Sequence, residues 1–384
     1  MTKEDLKSQA AALIEAAYAL GLEAGKATAP ADKPESPSQP SLADEYPLTN
    51  PDVAAFMADP AYNAPGFATG SGLSVVDKYI QSAVEGDTQS PTERPTPVPL
   101  DGCTIFDQNG NEIPAAAGIR NLIPGRTYIY SRAITKGHEV GGKFRTTGTV
   151  RMIHTADTHP ILNIRDLGGY PCEGGHVAYG RIIRCGRIPK ELKKADTNAQ
   201  ILRNLGITAE VSFSSSWPAR ADLGWKAYTY SIYGYAYILQ KPTKYKETFT
   251  RILAEAEAGG CTLIHCQAGA DRTGTVAAIL LGVLGVPVPL IIKDWELTCF
   301  CAWFNRKRIS DWAIRTAPTA DPETRAIILK EAPYGELREF FIAMKSAYGQ
   351  HGETYQQQCY SFLTKKVGLS SSFIASLKKA LIQP

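Results

Sequence analysis

Apolar positions along this chain change their spacing several times, and each change predicts a different element. In residues 2–26, Leu6, Leu13 and Leu20 lie seven apart, with Ala10, Ala17 and Ala24 four after each. This is the a/d stripe of an amphipathic helix. Thr2 can cap it, with Asp5 three residues on. The stripe fits a helix packed on its own protein, or a coiled-coil or docking helix spanning residues 1–27. Residues 28–45 are rich in Pro, Ser and Ala and read as a tether. Residues 46–99 hold short helical patterns at Pro51–Met57 and around Leu73–Val84, then a proline-rich linker over Thr88–Pro99. Over residues 100–150 the period falls to two, with a hairpin turn at Asn109-Gly110 and the alternating run Thr127–Ser131. From 151 to 384, strands alternate with helices. Strands are expected at Val177–Ile183, Glu210–Phe213 and Cys261–His265. Helices are expected at Asp196–Leu205, Lys244–Ala258 and Thr273–Leu284, with a mainly helical remainder over Leu290–Leu381. The expected class is therefore α/β: a sheet flanked by helices, preceded by a small all-β module and an N-terminal helix.

Composition narrows the possibilities without deciding them. Hydrophobic residues at 44% are enough to bury a sizeable core, and 384 residues allow two or three folding units. A net charge of +3 is too small to argue for nucleic acid, so an anionic ligand would have to be held by local charge. No apolar run reaches the ~20 residues of a transmembrane helix. The first residues lack the apolar core of a signal peptide, which sets a cytoplasmic expectation. The eight cysteines show neither Cys-x-x-Cys nor Cys/His metal spacing, so no metal, cofactor or disulfide framework is expected.

The chemistry concentrates in one segment. Cys261-Thr-Leu-Ile-His265 reads as a buried strand. Cys266-Gln267-Ala268-Gly269-Ala270-Asp271 reads as a tight loop, and Arg272-Thr273-Gly274 opens an apolar helix. A strand, a glycine-containing loop and a helix N-terminus turn backbone N–H groups toward one point and make an anion cradle. Arg272 can grip two oxygens of a phosphate. The same positive field favours the thiolate of Cys266, placing a nucleophile at the centre of a phosphate site.

These residues resemble a known family. His-Cys-x5-Arg-Thr-Gly is similar to the signature of the protein tyrosine phosphatases. Asn163-Ile-Arg165-Asp166-Leu-Gly-Gly169, followed by Gly180-Arg-Ile-Ile-Arg-Cys-Gly186, resembles the opening of the bacterial tyrosine/lipid phosphatase group. Asp294-Trp-Glu-Leu-Thr298 is similar to the segment after the catalytic helix there. The resemblance covers about residues 150–384 and implies a cysteine-phosphatase-like sheet. By matching positions it implies Cys266 as nucleophile, Arg272 as phosphate ligand, His265 as the residue that orients the loop, and Thr273 as a donor to the departing thiolate. It implies a phosphate-binding backbone over Gln267, Ala268, Gly269, Ala270 and Gly274. Asp271 is either the general acid or a loop-stabilising carboxylate. Arg165 and Asp166 either position the loop and bind substrate or form a structural ion pair. Asp294 is a helix cap or loop support rather than a catalytic group. Separately, Leu122-Ile-Pro-Gly125-Arg-Thr-Tyr128 resembles a corner of fibronectin type III modules, usually spacers or binding platforms.

Two departures from the family shape the expectation. Ala270 stands where a lysine is common, which removes a cation and disfavours a polyphosphorylated inositol lipid. Ser212-Phe-Ser214 stands where an acid and an arginine are usual, and Trp217-Pro218-Ala219 has alanine where eukaryotic relatives carry an acid. Asp222, three residues on, is the nearest substitute. The resulting expectation is a phosphomonoesterase for phosphotyrosine in proteins. A phosphoinositide is the alternative substrate. A phosphatase-fold component of a larger assembly, such as a phage particle, held through residues 1–27 as a homo-oligomer or docked subunit, is the alternative class.

Overall fold

The computed structural model describes residues 45–47, 51–59, 103–113, 121–135, 138–156, 158–300, 337 and 340–384. The expected N-terminal helix, the tether, the Leu73–Val84 helix, the proline-rich linker and residues 301–336 of the helical remainder lie outside the described residues.

Four strands form the parallel heart of the molecule: β9 (Ile182–Cys185), β10 (Ile207–Ser212), β11 (Lys226–Thr229) and β12 (Cys261–His265). The sheet order is β11-β10-β12-β9-β6, with β6 (Arg165–Asp166) antiparallel on the β9 edge. Every residue of β9 and β12 is buried. That suits a parallel sheet covered on both faces, whose strands read as continuous apolar runs. On one face lie α3 (Tyr245–Glu257), α4 (Arg272–Leu284), α5 (Tyr355–Ser361) and α6 (Ser371–Leu381), which share a cluster containing Phe249, Ile252, Val276, Ile279, Cys359 and Leu377. On the other lies α2 (Thr197–Asn204), whose Ala199, Ile201 and Leu202 pack with Ile183, Leu263 and Trp225. The architecture is thus mixed α/β, a central sheet flanked by helices. No helix among the described residues is long and apolar enough to cross a membrane.

One expected strand is two. Gly180 lies at φ +70, in a turn between β8 (Gly175–Val177) and β9, and its N–H donates to Asp166 Oδ2 at 2.8 Å. The run Val177–Ile183 therefore breaks, and β8 joins another sheet. There it pairs with β7 (Pro171–Cys172) and with β13 (Ile382–Gln383), just after the segment expected to be helical.

The N-terminal part is an antiparallel sheet of two hairpins with one parallel addition. β2 (Thr104–Phe106), β3 (Glu112–Ile113), β4 (Thr127–Thr135) and β5 (His138–Thr147) join β1 (Glu45–Pro47) in the order β1-β5-β4-β2-β3. The Asn109-Gly110 turn forms as expected, because Asp107 Oδ1 accepts the N–H groups of Asn109 and Asn111, each at 2.8 Å. Among the described residues these strands make one sheet over Ile105, Leu122, Tyr128 and Phe144.

Two links tie this part to the α/β unit. Asn121 accepts Arg151 through its carbonyl and exchanges hydrogen bonds with His154, at 2.7 and 2.9 Å. After β1, α1 (Pro51–Ala58) buries Val53 and Phe56 in the same cluster as α4. Lys293 Nζ reaches across to its C-terminal end, donating to the carbonyls of Met57 and Asp59.

Candidate active site

The C-terminal ends of β9, β10 and β12 lie side by side, with Ser212 paired to His265 and His265 to Cys185. In open parallel sheets this edge is where ligands bind. Here β12 delivers Cys266 and the loop to Asp271, and α4 begins at Arg272.

The loop's shape follows from where its carbonyls go. Gln267 O accepts the Arg187 N–H at 2.9 Å, Ala268 O accepts Asn163 Nδ2 at 3.0 Å, and Gly269 O accepts Arg184 Nη2 at 2.6 Å. Three consecutive carbonyls tied outward leave the amides of this turn facing the other way, as an anion cradle requires. The Gly269 N–H accordingly points at Cys266 Sγ, 3.3 Å away. Gly269 has φ +71, and a Cβ there would lie 2.3 Å from the Cys185 carbonyl oxygen, so glycine is demanded twice. Gly274 lets α4 pass the Trp295 ring, which a Cβ would meet at 2.8 Å.

Beneath the thiol sits a buried polar chain. His265 Nδ1 lies 3.1 Å from the Cys266 carbonyl oxygen, and Nε2 lies 2.8 Å from Glu210 Oε1. The Cys266 carbonyl oxygen and the Glu210 carboxylate are both acceptors, and the imidazole is held between them. Glu210 Oε2 accepts Trp225 Nε1 at 2.7 Å and the Arg220 N–H at 3.0 Å. His265 thus links the start of the loop to Glu210 in the neighbouring strand. In the sequence Glu210 shows only as a lone acid within the strand-like run Ile207–Ser212.

Arg165, Asp166 and Asp294 lie behind the loop, not in its mouth. Asp294 Oδ1 takes Arg165 Nε at 2.9 Å, its Oδ2 takes Arg184 Nη1, and Tyr170 Oη donates to it at 3.2 Å. Burial alone would raise the Asp294 carboxyl, but Arg165 and Arg184 outweigh it and hold it below the usual carboxylate range. Since Arg184 also holds Gly269 O, Asp294 supports the loop through that arginine. Asp166 pairs with Arg151 at 2.9 Å and accepts the N–H groups of Gly168 and Gly180. Arg165 and Asp166 are both fully buried. Each is taken up in a buried ion pair, Arg165 with Asp294 and Asp166 with Arg151.

Arg272 Nη1 donates to Phe213 O at 2.9 Å from a half-buried position at the edge of the loop. Thr273 is buried, and its hydroxyl has no hydrogen-bond partner among the described residues, so it does not bond Cys266 Sγ. Asp271 precedes α4, and its Oδ1 accepts the Tyr235 hydroxyl at 2.8 Å. The rival acid, Asp222, is held by Arg220 at 2.7 and 2.8 Å, and that guanidinium is itself fixed by the carbonyls of Pro189, Lys190 and Leu192. The Trp217 ring is covered by the Arg187 guanidinium at 4.2 Å and Lys190 Nζ at 4.8 Å. Ser212 Oγ donates to the Trp217 carbonyl, closing that turn. Among the other thiols, burial pushes Cys185 and Cys261 well up and Cys359 up to about 12, which keeps them protonated and inert.

A profile of the tyrosine phosphatase family matches residues 156–235 and 220–383. The chain belongs to the tyrosine phosphatase family. A protein of Cupriavidus necator assigned to the tyrosine-protein phosphatases is 29% identical over 216 residues, covering 46% of this chain and 75% of that protein. A tyrosine-protein phosphatase of Nostoc commune is 30% identical over 145 residues, covering 36% of this chain and 45% of that protein. By family this is a phosphatase hydrolase. The matched residues begin after the N-terminal β sheet, so the family resides in the α/β unit that carries the cradle.

Proposed function

We propose that this phosphatase cleaves phosphomonoesters through a cysteinyl-phosphate on Cys266, with phosphotyrosine in proteins as the substrate class. The observation that carries the reading is the loop itself: three carbonyls tied outward and the Gly269 N–H on Cys266 Sγ. A phosphate dianion seated there would receive the loop amides and the Arg272 guanidinium. The Cys266 thiolate attacks phosphorus, forming the S–P bond as the P–O bond to the leaving oxygen breaks. Asp271 gives that oxygen its proton. In the second step water attacks phosphorus, the Asp271 carboxylate takes its proton, and phosphate leaves as the thiolate returns. No further cation replaces the lysine absent at Ala270 within the loop, which favours a monophosphate on a protein over a polyphosphorylated inositol.

The test is release of phosphate from phosphotyrosine peptides and from phosphoinositides, beside Cys266→Ser. Rapid acid quenching with a labelled phosphotyrosine peptide is expected to trap label on the wild-type chain and none on Cys266→Ser. Faster release from phosphoinositides would replace the substrate class. Release that survives Cys266→Ser would remove the mechanism.

A further inference from the structure

Asp271 does not stand alone at the start of α4. The segment before α3 closes over it, and the contacts converge on Tyr235. The Tyr235 hydroxyl donates to Asp271 Oδ1 at 2.8 Å. The Tyr235 N–H donates to Thr275 Oγ1 at 2.8 Å, and that hydroxyl donates on to the Asp271 carbonyl at 2.9 Å. One tyrosine therefore grips both ends of the same aspartate, its side chain directly and its backbone through Thr275. Gly234 brings the segment against the loop: a Cβ there would sit 3.3 Å from the Arg272 nitrogen and 3.4 Å from the Asp271 carbonyl carbon.

A buried tyrosine always seeks a partner for its hydroxyl, so the bond by itself could be no more than a satisfied core residue. The backbone argues for more. Tyr235 sits at φ +52, a left-handed conformation that a bulky aromatic side chain adopts at a cost. Gly234, which could take such a conformation without strain, is its neighbour. The strained position is held by the tyrosine, the residue whose ring and hydroxyl reach Asp271, and it is 8% exposed. Strain of this kind persists where the surroundings over-determine it, which is a feature of functional sites.

We propose that Tyr235 is a positioning residue for the general acid: its hydroxyl on Oδ1, and its N–H through Thr275, hold the Asp271 carboxyl in one orientation toward the leaving oxygen. A donor fixed on one carboxyl oxygen holds the carboxyl plane still. This rests on the proposed role of Asp271 as proton donor. It adds the residue that makes the donation directional. The sequence offers no hint of it, since Tyr235 lies 36 residues before Asp271 among several tyrosines.

The test is a leaving-group comparison. Tyr235→Phe keeps the ring and removes only the hydroxyl. kcat/KM is measured for a phosphotyrosine peptide, whose leaving group needs a proton, and for an aryl phosphate of a strongly acidic phenol, whose leaving group does not. Tyr235→Phe is expected to lower the first about 10-fold and the second less than about 2-fold, as part of the ~10²–10⁴ a general acid supplies. Asp271→Asn is expected to show the same selectivity with a larger loss, and the double variant to be no slower than Asp271→Asn alone. If Asp271→Asn is selective but Tyr235→Phe slows both substrates equally, the tyrosine is structural and the inference fails while the acid assignment stands. If Asp271→Asn shows no selectivity, the acid assignment itself fails and the inference with it. A thermal melt of each variant confirms that the comparison is made on folded protein.

Discussion

Replacing Asp294 by Asn tests whether the cradle is held from behind. The substitution keeps the shape and removes the charge between two arginines. Arg165 and Arg184 have no exposed side-chain surface, and Asp294 has 2%. With the carboxylate gone, two buried guanidinium groups lose the charge they share. Breaking a buried pair in this way costs about 3–5 kcal/mol, because the surviving charge is uncompensated rather than because the pair itself was worth that much. Set against a total of roughly 5–15 kcal/mol, this is a large fraction. For a unit of this size it corresponds to a fall of roughly 6–20 °C in Tm. Urea unfolding followed by tryptophan fluorescence and far-UV circular dichroism measures it. A second effect follows from Arg184, which holds Gly269 O as well as Asp294. With that arginine displaced, the loop moves on the ångström scale, and kcat/KM measured well below the variant's Tm is expected to drop about 10²-fold. A variant within about 1 kcal/mol of wild type would refute the burial argument. A destabilised variant with full kcat/KM would refute the link from Asp294 through Arg184 to the loop.

Other outcomes follow from the same contacts. Because the Asp294 carboxyl is held below its usual range when folded, its contribution to stability is fully present above the ordinary carboxylate pKa. It is lost as pH falls through the lower folded value, so urea midpoints should fall on acidification below about pH 4, and less so in Asp294→Asn. Gly269→Ala places a Cβ 2.3 Å from the Cys185 carbonyl oxygen at φ +71, and is expected to abolish phosphate release while costing about 2 kcal/mol or more; a fully active variant would contradict the loop path. Glu210→Gln removes the charged acceptor shared by His265, Trp225 and the Arg220 N–H, and should cost about 2 kcal/mol in urea unfolding and about 10-fold in kcat/KM. Lys293→Met leaves the carbonyls of Met57 and Asp59 without that donor, and should cost about 1–3 kcal/mol in urea unfolding.

Sequence alone determined the local setting of Cys266. Cys266 to Gly274 is a contiguous segment, and a strand, a tight loop with glycine and a helix start predict an anion cradle by local geometry, while the partners of its carbonyls, Asn163, Arg184 and Arg187, are distant in sequence. Residue spacing also sufficed for α2, α3, α4 and the Asn109-Gly110 turn, whose periods and stop residues are local. Only the tertiary structure decided the rest. Arg165 and Asp294 are 129 residues apart, so nothing near either one says that the arginine faces a buried carboxylate and not a substrate. Glu210 becomes the partner of His265 only because β10 and β12 are neighbours in the sheet. Tyr235 reaches Asp271 only because Gly234 lets its segment settle on α4. The run Val177–Ile183 looks continuous until Asp166, on another strand, draws the Gly180 N–H into a turn. An anion cradle is a property of consecutive backbone dihedrals and is legible in order. The partner of a buried charge is set by which elements pack together, and that is decided by the balance of burial and desolvation over the whole fold.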